Sequence, residues 1–95
     1  MKSQSGEDGW WQFLELCKQL KTKKQFNEFF DLFLSIEERN DIGGRCAIVL
    51  ALLKNVETQR DIATRLGTSI AKISRGSNCL KTINKDLRRF LESHL

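Results

Sequence analysis

Two positions carry chemistry that their surroundings do not require. Between Ile42 and Leu53 apolar residues recur at helical spacing as Ile42, Cys46, Val49 and Leu53. Steps of ~100° per residue place Arg45 inside that arc, between Val49 and Leu52. A guanidinium there either lays its stem along the core and carries its head to water or a carboxylate, or faces an anionic or aromatic ligand. The second position is Gly76, in Arg75-Gly76-Ser77-Asn78, at the centre of a stretch that otherwise reads as helix. Glycine inside a helix costs about 1 kcal/mol relative to alanine. Either backbones approach closely at Gly76, or a ligand lies against its bare Cα.

Other reactive groups are few. Cys17, Cys46 and Cys79 are odd in number and far apart, with no C-x-x-C and one histidine, His94. Neither a disulfide framework nor a metal site is expected from such a set. Cys17 and Cys46, among apolar neighbours, read as reduced small hydrophobes. The chain offers no paired catalytic carboxylates, no His/Cys pair in sequence context and no phosphate loop, and Cys79 has no base beside it, so an enzyme is not expected.

The elements that would position these residues are all helical. The chain of 95 residues has no proline, no strict alternation and few β-branched clusters, which predicts one all-α domain. A chain of this length buries a modest share of its surface, so a partner chain would help. Residues 1–8 read as a disordered arm and residues 9–95 as the folded domain. The arm has no apolar core of a signal peptide, and no apolar run approaches the ~20 residues of a membrane helix, so a cytoplasmic protein without membrane contact is expected.

A first helix is predicted from about Trp10 to Thr22, on Trp10, Phe13, Leu14, Cys17 and Leu20. A short second one holds Phe26, Phe29, Phe30, Leu32, Phe33 and Leu34. Apolar on all sides, it reads either as an ordinary core helix or as one partly covered by another chain. Ser35-Ile36-Glu37-Glu38 has the form of a capping box and should open a third helix running to about Leu53. Thr58 should cap a fourth helix that ends at Gly67, and Thr68 or Ser69 a fifth. A sixth, from near Asn84, is expected to bury Leu87, Phe90 and Leu91.

From Gln59 the text "QRDIATRLGTSIAKISRG" has the form of a helix-turn-helix. Ile62 and Leu66 face the core, Ala63 is small where two helices cross, Gly67 makes the turn, and Ile70 and Ile73 anchor the second helix. Charge favours nucleic acid over protein as the partner. Residues 1–53 carry 7 Lys+Arg against 8 Asp+Glu, whereas residues 54–95 carry 9 against 4. Gln59, Arg60, Arg65, Lys72 and Ser74 form a donor-rich remainder. Ser69, Ala71, Lys72 and Ser74 let the second helix enter a major groove without steric conflict.

The runs Gln59 to Lys81, including Arg75-Gly76-Ser77-Asn78, and "LFLSIEER" from Leu32 to Arg39, with Arg45 beyond, resemble the tryptophan repressor family. The resemblance extends from about Trp10 to Leu91. It implies an intertwined homodimer of six-helix chains that bind L-tryptophan as corepressor, with no metal. The ligand would fix two recognition helices about one DNA turn, ~34 Å, apart on palindromic double-stranded operator DNA; groove docking and water-mediated base contacts are known features of this family. Carried onto this chain, the indole would lie between Arg45 and Arg75 over Gly76, with Ile48 lining the pocket. The ligand carboxylate would meet Arg75 and the Ser35 hydroxyl. Its ammonium group would meet Cys79 and the main-chain carbonyls around Leu32 and Leu34 of the other subunit.

For DNA, the resemblance implies Arg60 as the bidentate guanine contact, Gln59 on phosphate, and Ala63, Ile70, Ala71, Lys72 and Ser74 along the groove. Ser35 stands for the threonine usual in the family and keeps the hydroxyl, and Ile36 stands for a proline of familiar members. Lys72 replaces a smaller polar residue, so the operator may differ in sequence. Cys79 is the larger departure. Many members have serine there, and a thiol is a weaker acceptor for the ligand ammonium, so looser discrimination between tryptophan and indoles lacking the ammonium group is expected. The function implied is a tryptophan-activated repressor of tryptophan biosynthesis or uptake genes. The alternatives are a regulator of the same fold that tryptophan does not gate, and a helical protein-interaction domain.

Overall fold

Short polar side chains set where most helices start. The computed structural model describes residues 6–95 and contains, among them, six α-helices and no strand: α1 Gly6–Cys17, α2 Lys23–Phe33, α3 Ile36–Lys54, α4 Gln59–Leu66, α5 Ile70–Leu80 and α6 Lys85–Glu92. At α3 the capping box forms as expected: the Glu38 amide donates to Ser35 Oγ (3.1 Å) and the Ser35 amide to Glu38 Oε1 (2.8 Å). Thr58 Oγ1 accepts from the Asp61 amide, Ser69 Oγ from the Lys72 amide and Asn84 Oδ1 from the Leu87 amide, fixing the starts of α4, α5 and α6.

The first helix departs from expectation at both ends. Gly6, Glu7 and Asp8, assigned to the arm, belong to α1, while residues 1–5 of that arm lie outside the described residues. At its other end α1 stops at Cys17 rather than continuing to Thr22. The chain tightens there into three-residue turns, from the Gln19 amide to the Leu16 carbonyl and from the Leu20 amide to the Cys17 carbonyl. Thr22 instead opens α2, accepting from the Gln25 amide at 3.1 Å while Gln25 Oε1 accepts from the Thr22 amide. This Thr-Lys-Lys-Gln capping box was legible in the sequence and was absorbed into the first helix.

The chain divides into an amino-terminal unit that ends at Arg39 and a carboxy-terminal unit, Asn40–Leu95. In the first, aromatic rings join α1 to α2. Phe13 lies 5.3 Å from Phe29 and from Phe33, centroid to centroid, and 5.8 Å from Trp10. Arg39 Nη1 donates to Asp31 Oδ1 at 2.9 Å, tying α2 to the start of α3. Even so, neither α1 nor α2 buries a residue.

The second unit has a small sealed core of Ile48 and Ala51 from α3, Ile62 and Ala63 from α4, and Ile73 from α5, with Leu52 and Leu66 packed against it. This revises the expected stripe on α3. Ile42 is 51% exposed and Cys46 is exposed, whereas Ile48 and Ala51 turn inward. The helix is apolar on more than one side, and periodicity alone could not say which side meets α4 and α5. In α6, Leu87 and Phe90 remain exposed and Leu91 half-buried rather than buried. Arg88 of α6 caps α5 by donating to the Leu80 carbonyl at 2.7 Å. Among the described residues no helix is long and apolar enough to cross a membrane.

Candidate ligand cleft and nucleic-acid interface

The helix-turn-helix is built on two fully buried isoleucines. Ile62 of α4 is 1% exposed and Ile73 of α5 0%. Between the helices Gly67 takes the left-handed conformation (φ 64°, ψ 37°), which costs glycine nothing and closes α4 with a bond from the Thr68 amide to the Ala63 carbonyl. Two assignments change here. Ala63, expected among the DNA contacts, belongs to the core, because the side chain at this crossing must be small and face inward. Ile70, expected as an anchor as well as a groove contact, is 46% exposed, so Ile73 anchors α5.

The polar surface of the helix pair is partly organised. Ser74 Oγ donates to Gln59 Oε1 at 3.3 Å, linking α5 to the start of α4 and leaving the Gln59 amide nitrogen to donate outward. Arg60, Ala71 and Lys72 are exposed. Arg65 leaves the donor set. Its Nε and Nη2 grip both oxygens of Glu57 at 2.8 and 2.7 Å, a bidentate clamp between α4 and the turn before it. That hydrogen bonding, opposed by desolvation and aided by the charges of Arg65 and Lys54, holds the Glu57 carboxyl below its ordinary range, and the same hydrogen bond with the charge of Glu57 raises Arg65.

Behind α5 lies an open cleft of about 670 Å³. Both walls present residues at the same helical spacing: Asp41, Gly44, Arg45 and Ile48 on α3, and Lys72, Arg75, Gly76 and Cys79 on α5. Leu66 and Thr68 of the helix-turn-helix join them. The two oddities of the sequence therefore share one cleft. A Cβ on Gly76 would stand 3.0 Å from Ile48 Cγ2 and 3.4 Å from Leu52 Cδ1, so the glycine serves the close approach of α5 to α3 while also lining the cleft.

Of the ligand residues expected from sequence, Arg45, Ile48, Arg75, Gly76 and Cys79 line this cleft. Leu32, Leu34 and Ser35 belong to the amino-terminal unit. There Ser35 Oγ accepts from Glu38 and keeps its own proton to donate, and Leu32 and Leu34 lie where the last carbonyls of α2 lack partners within the helix. Other lining residues were missed, among them the charged Asp41 and Lys72. Asp41 lies one turn before Arg45 with Gly44 beside that arginine, and Lys72, assigned to DNA alone, lies one turn before Arg75 and Gly76.

A helix-turn-helix set on an all-α frame, with a cationic cleft behind its second helix, defines a class of DNA-binding regulator. The chain belongs to the Trp repressor protein family, whose model matches residues 8–95. It is 48% identical over 93 residues to a Trp operon repressor homolog of Chlamydia caviae, covering 98% of this chain and 92% of that protein. A Trp operon repressor homolog of Chlamydia trachomatis serovar D is 44% identical over 95 residues, the whole of both chains. One from Haemophilus influenzae is 37% identical over 86 residues, 90% of this chain and 85% of that protein. The family is one of regulatory DNA-binding proteins, not of enzymes.

Proposed function

We propose that the protein is an L-tryptophan-activated repressor that acts as a homodimer on a palindromic operator of tryptophan biosynthesis or uptake genes. The observation that carries this reading is the meeting of Arg45 from α3 with Arg75 and Gly76 from α5 in one cleft, α5 being the helix that also presents Ile70 and Ala71 to solvent. An indole seated between two guanidinium planes gains about 0.5 to 2 kcal/mol per stacking contact. Its carboxylate pairs with Arg75 and with the Ser35 hydroxyl, and the carbonyls at Leu32 and Leu34 of the partner subunit take its ammonium group.

Coupling follows from α5 being at once a wall of the cleft and the reading helix. A ligand wedged between α3 and α5 favours the arrangement it fits best, and it activates the repressor only to the extent that it prefers the DNA-competent state. In that state Arg60 donates to guanine, Gln59 to phosphate, and Ile70, Ala71, Lys72 and Ser74 line the groove.

A gel shift on palindromic operator DNA with and without L-tryptophan tests the reading. Binding should tighten with tryptophan and weaken steeply with salt, and Arg60→Ala should cost about 1 to 3 kcal/mol. Equal binding in both lanes would favour the second reading, a regulator of this fold that tryptophan does not gate, for which the Cys79 thiol in the cleft is the supporting observation.

A further inference from the structure

We propose that Asp41 sets the cleft's selectivity for an amino acid over a plain carboxylic acid by adding a charged acceptor for the ligand's ammonium group to the main-chain carbonyls proposed above. The inference rests on the cleft being the corepressor site proposed above. The two walls match at their centres, where each carries one arginine and one glycine, and differ one turn earlier, where α5 has Lys72 and α3 has Asp41. The α5 wall is thus purely cationic and the α3 wall is mixed. A carboxylate is drawn to Lys72 and Arg75, and the same two cations repel a positive group on the adjacent carbon. Asp41 alone is anionic among the residues that line the cleft.

Its charge is also uncommitted. Asp41 and Arg45 stand four residues apart, a spacing at which helix side chains commonly pair. Among the described residues, however, Asp41, Arg45, Lys72 and Arg75 take part in no ion pair. Cys79, at the far end of the α5 wall, is a weak acceptor. Asp41 therefore supplies the acceptor strength that Cys79 lacks, and discrimination in favour of ammonium-bearing indoles survives the thiol.

Calorimetry on the full chain, wild type and Asp41→Asn, with L-tryptophan and with indole-3-propionate, tests this. The variant should bind tryptophan about fivefold more weakly, the size of a solvent-accessible charge pair, and should bind indole-3-propionate as well as before or better. Asp41→Glu should recover part of the tryptophan affinity. Wild-type binding of tryptophan with an unchanged ratio of the two ligands in Asp41→Asn would overturn the role of Asp41 and leave the corepressor reading intact. Absence of binding of either indole to the wild type would overturn both.

Discussion

The two units of the chain treat their apolar side chains differently. In the carboxy-terminal unit three helices close around Ile62 and Ile73, which are 1% and 0% exposed. In the amino-terminal unit four rings gather about Phe13, yet Trp10, Trp11, Leu32 and Phe33 stay largely exposed. Complete burial needs neighbours on every side, and two short helices supply them on one. The reading head is finished within a single chain, whereas the aromatic unit and the apolar side of α6 present surface of the kind a second chain covers. The proposed homodimer would draw its interface from there.

Four measurements break or sharpen that contrast. The largest effect belongs to the sealed core: Ile73→Ala should cost about 2 to 5 kcal/mol in chemical denaturation, and a loss below 1 would mean that the helix pair is not self-contained. Next comes Leu32, 78% exposed in the single chain. An exposed substitution usually changes stability by about 0.5 kcal/mol or less. Leu32→Ser should exceed that and shift the protein toward monomer in sedimentation, with melting that depends on concentration. A concentration-independent melt would remove the contrast.

Capping should act alike in both units. Ser35→Ala and Ser69→Ala should each cost about 1 kcal/mol, and a large inequality would reveal that one helix start is held by something besides its cap. The smallest effect concerns the Glu57–Arg65 clamp. Because folding lowers the Glu57 pKa, its stabilisation is present above the unfolded carboxylate range and is lost as pH falls through the folded value. Glu57→Gln should therefore lower the melting temperature slightly near neutral pH and flatten part of its decline on acidification, so that the two proteins converge at low pH.

Much of the site was legible because its signals are local or strongly patterned. Arg45 was marked by its place in an apolar arc, and Gly76 by its place in a helix. The helix-turn-helix was marked by Gly67 between two capped helices. Less legible was the facing of each side chain. Ala63 suits a groove as well as a core, and Ile70 suits an anchor as well as a surface, since small or apolar character does not name its neighbour. Arg65 counted as a donor for DNA until Glu57, eight residues earlier, was found holding it.

By itself the sequence determined where most of these helices begin, where the chain turns at Gly67, the uneven charge and the family. A cap, a left-handed glycine or a motif depends on residues three or four apart, and those lie together in any fold the chain could take. The tertiary structure alone decided which face of α3 is buried and that Asp41 and Lys72 join Arg45 and Arg75 in one cleft. Those facts depend on how helices distant in sequence pack, and packing is settled by burial summed over the unit rather than by any single residue.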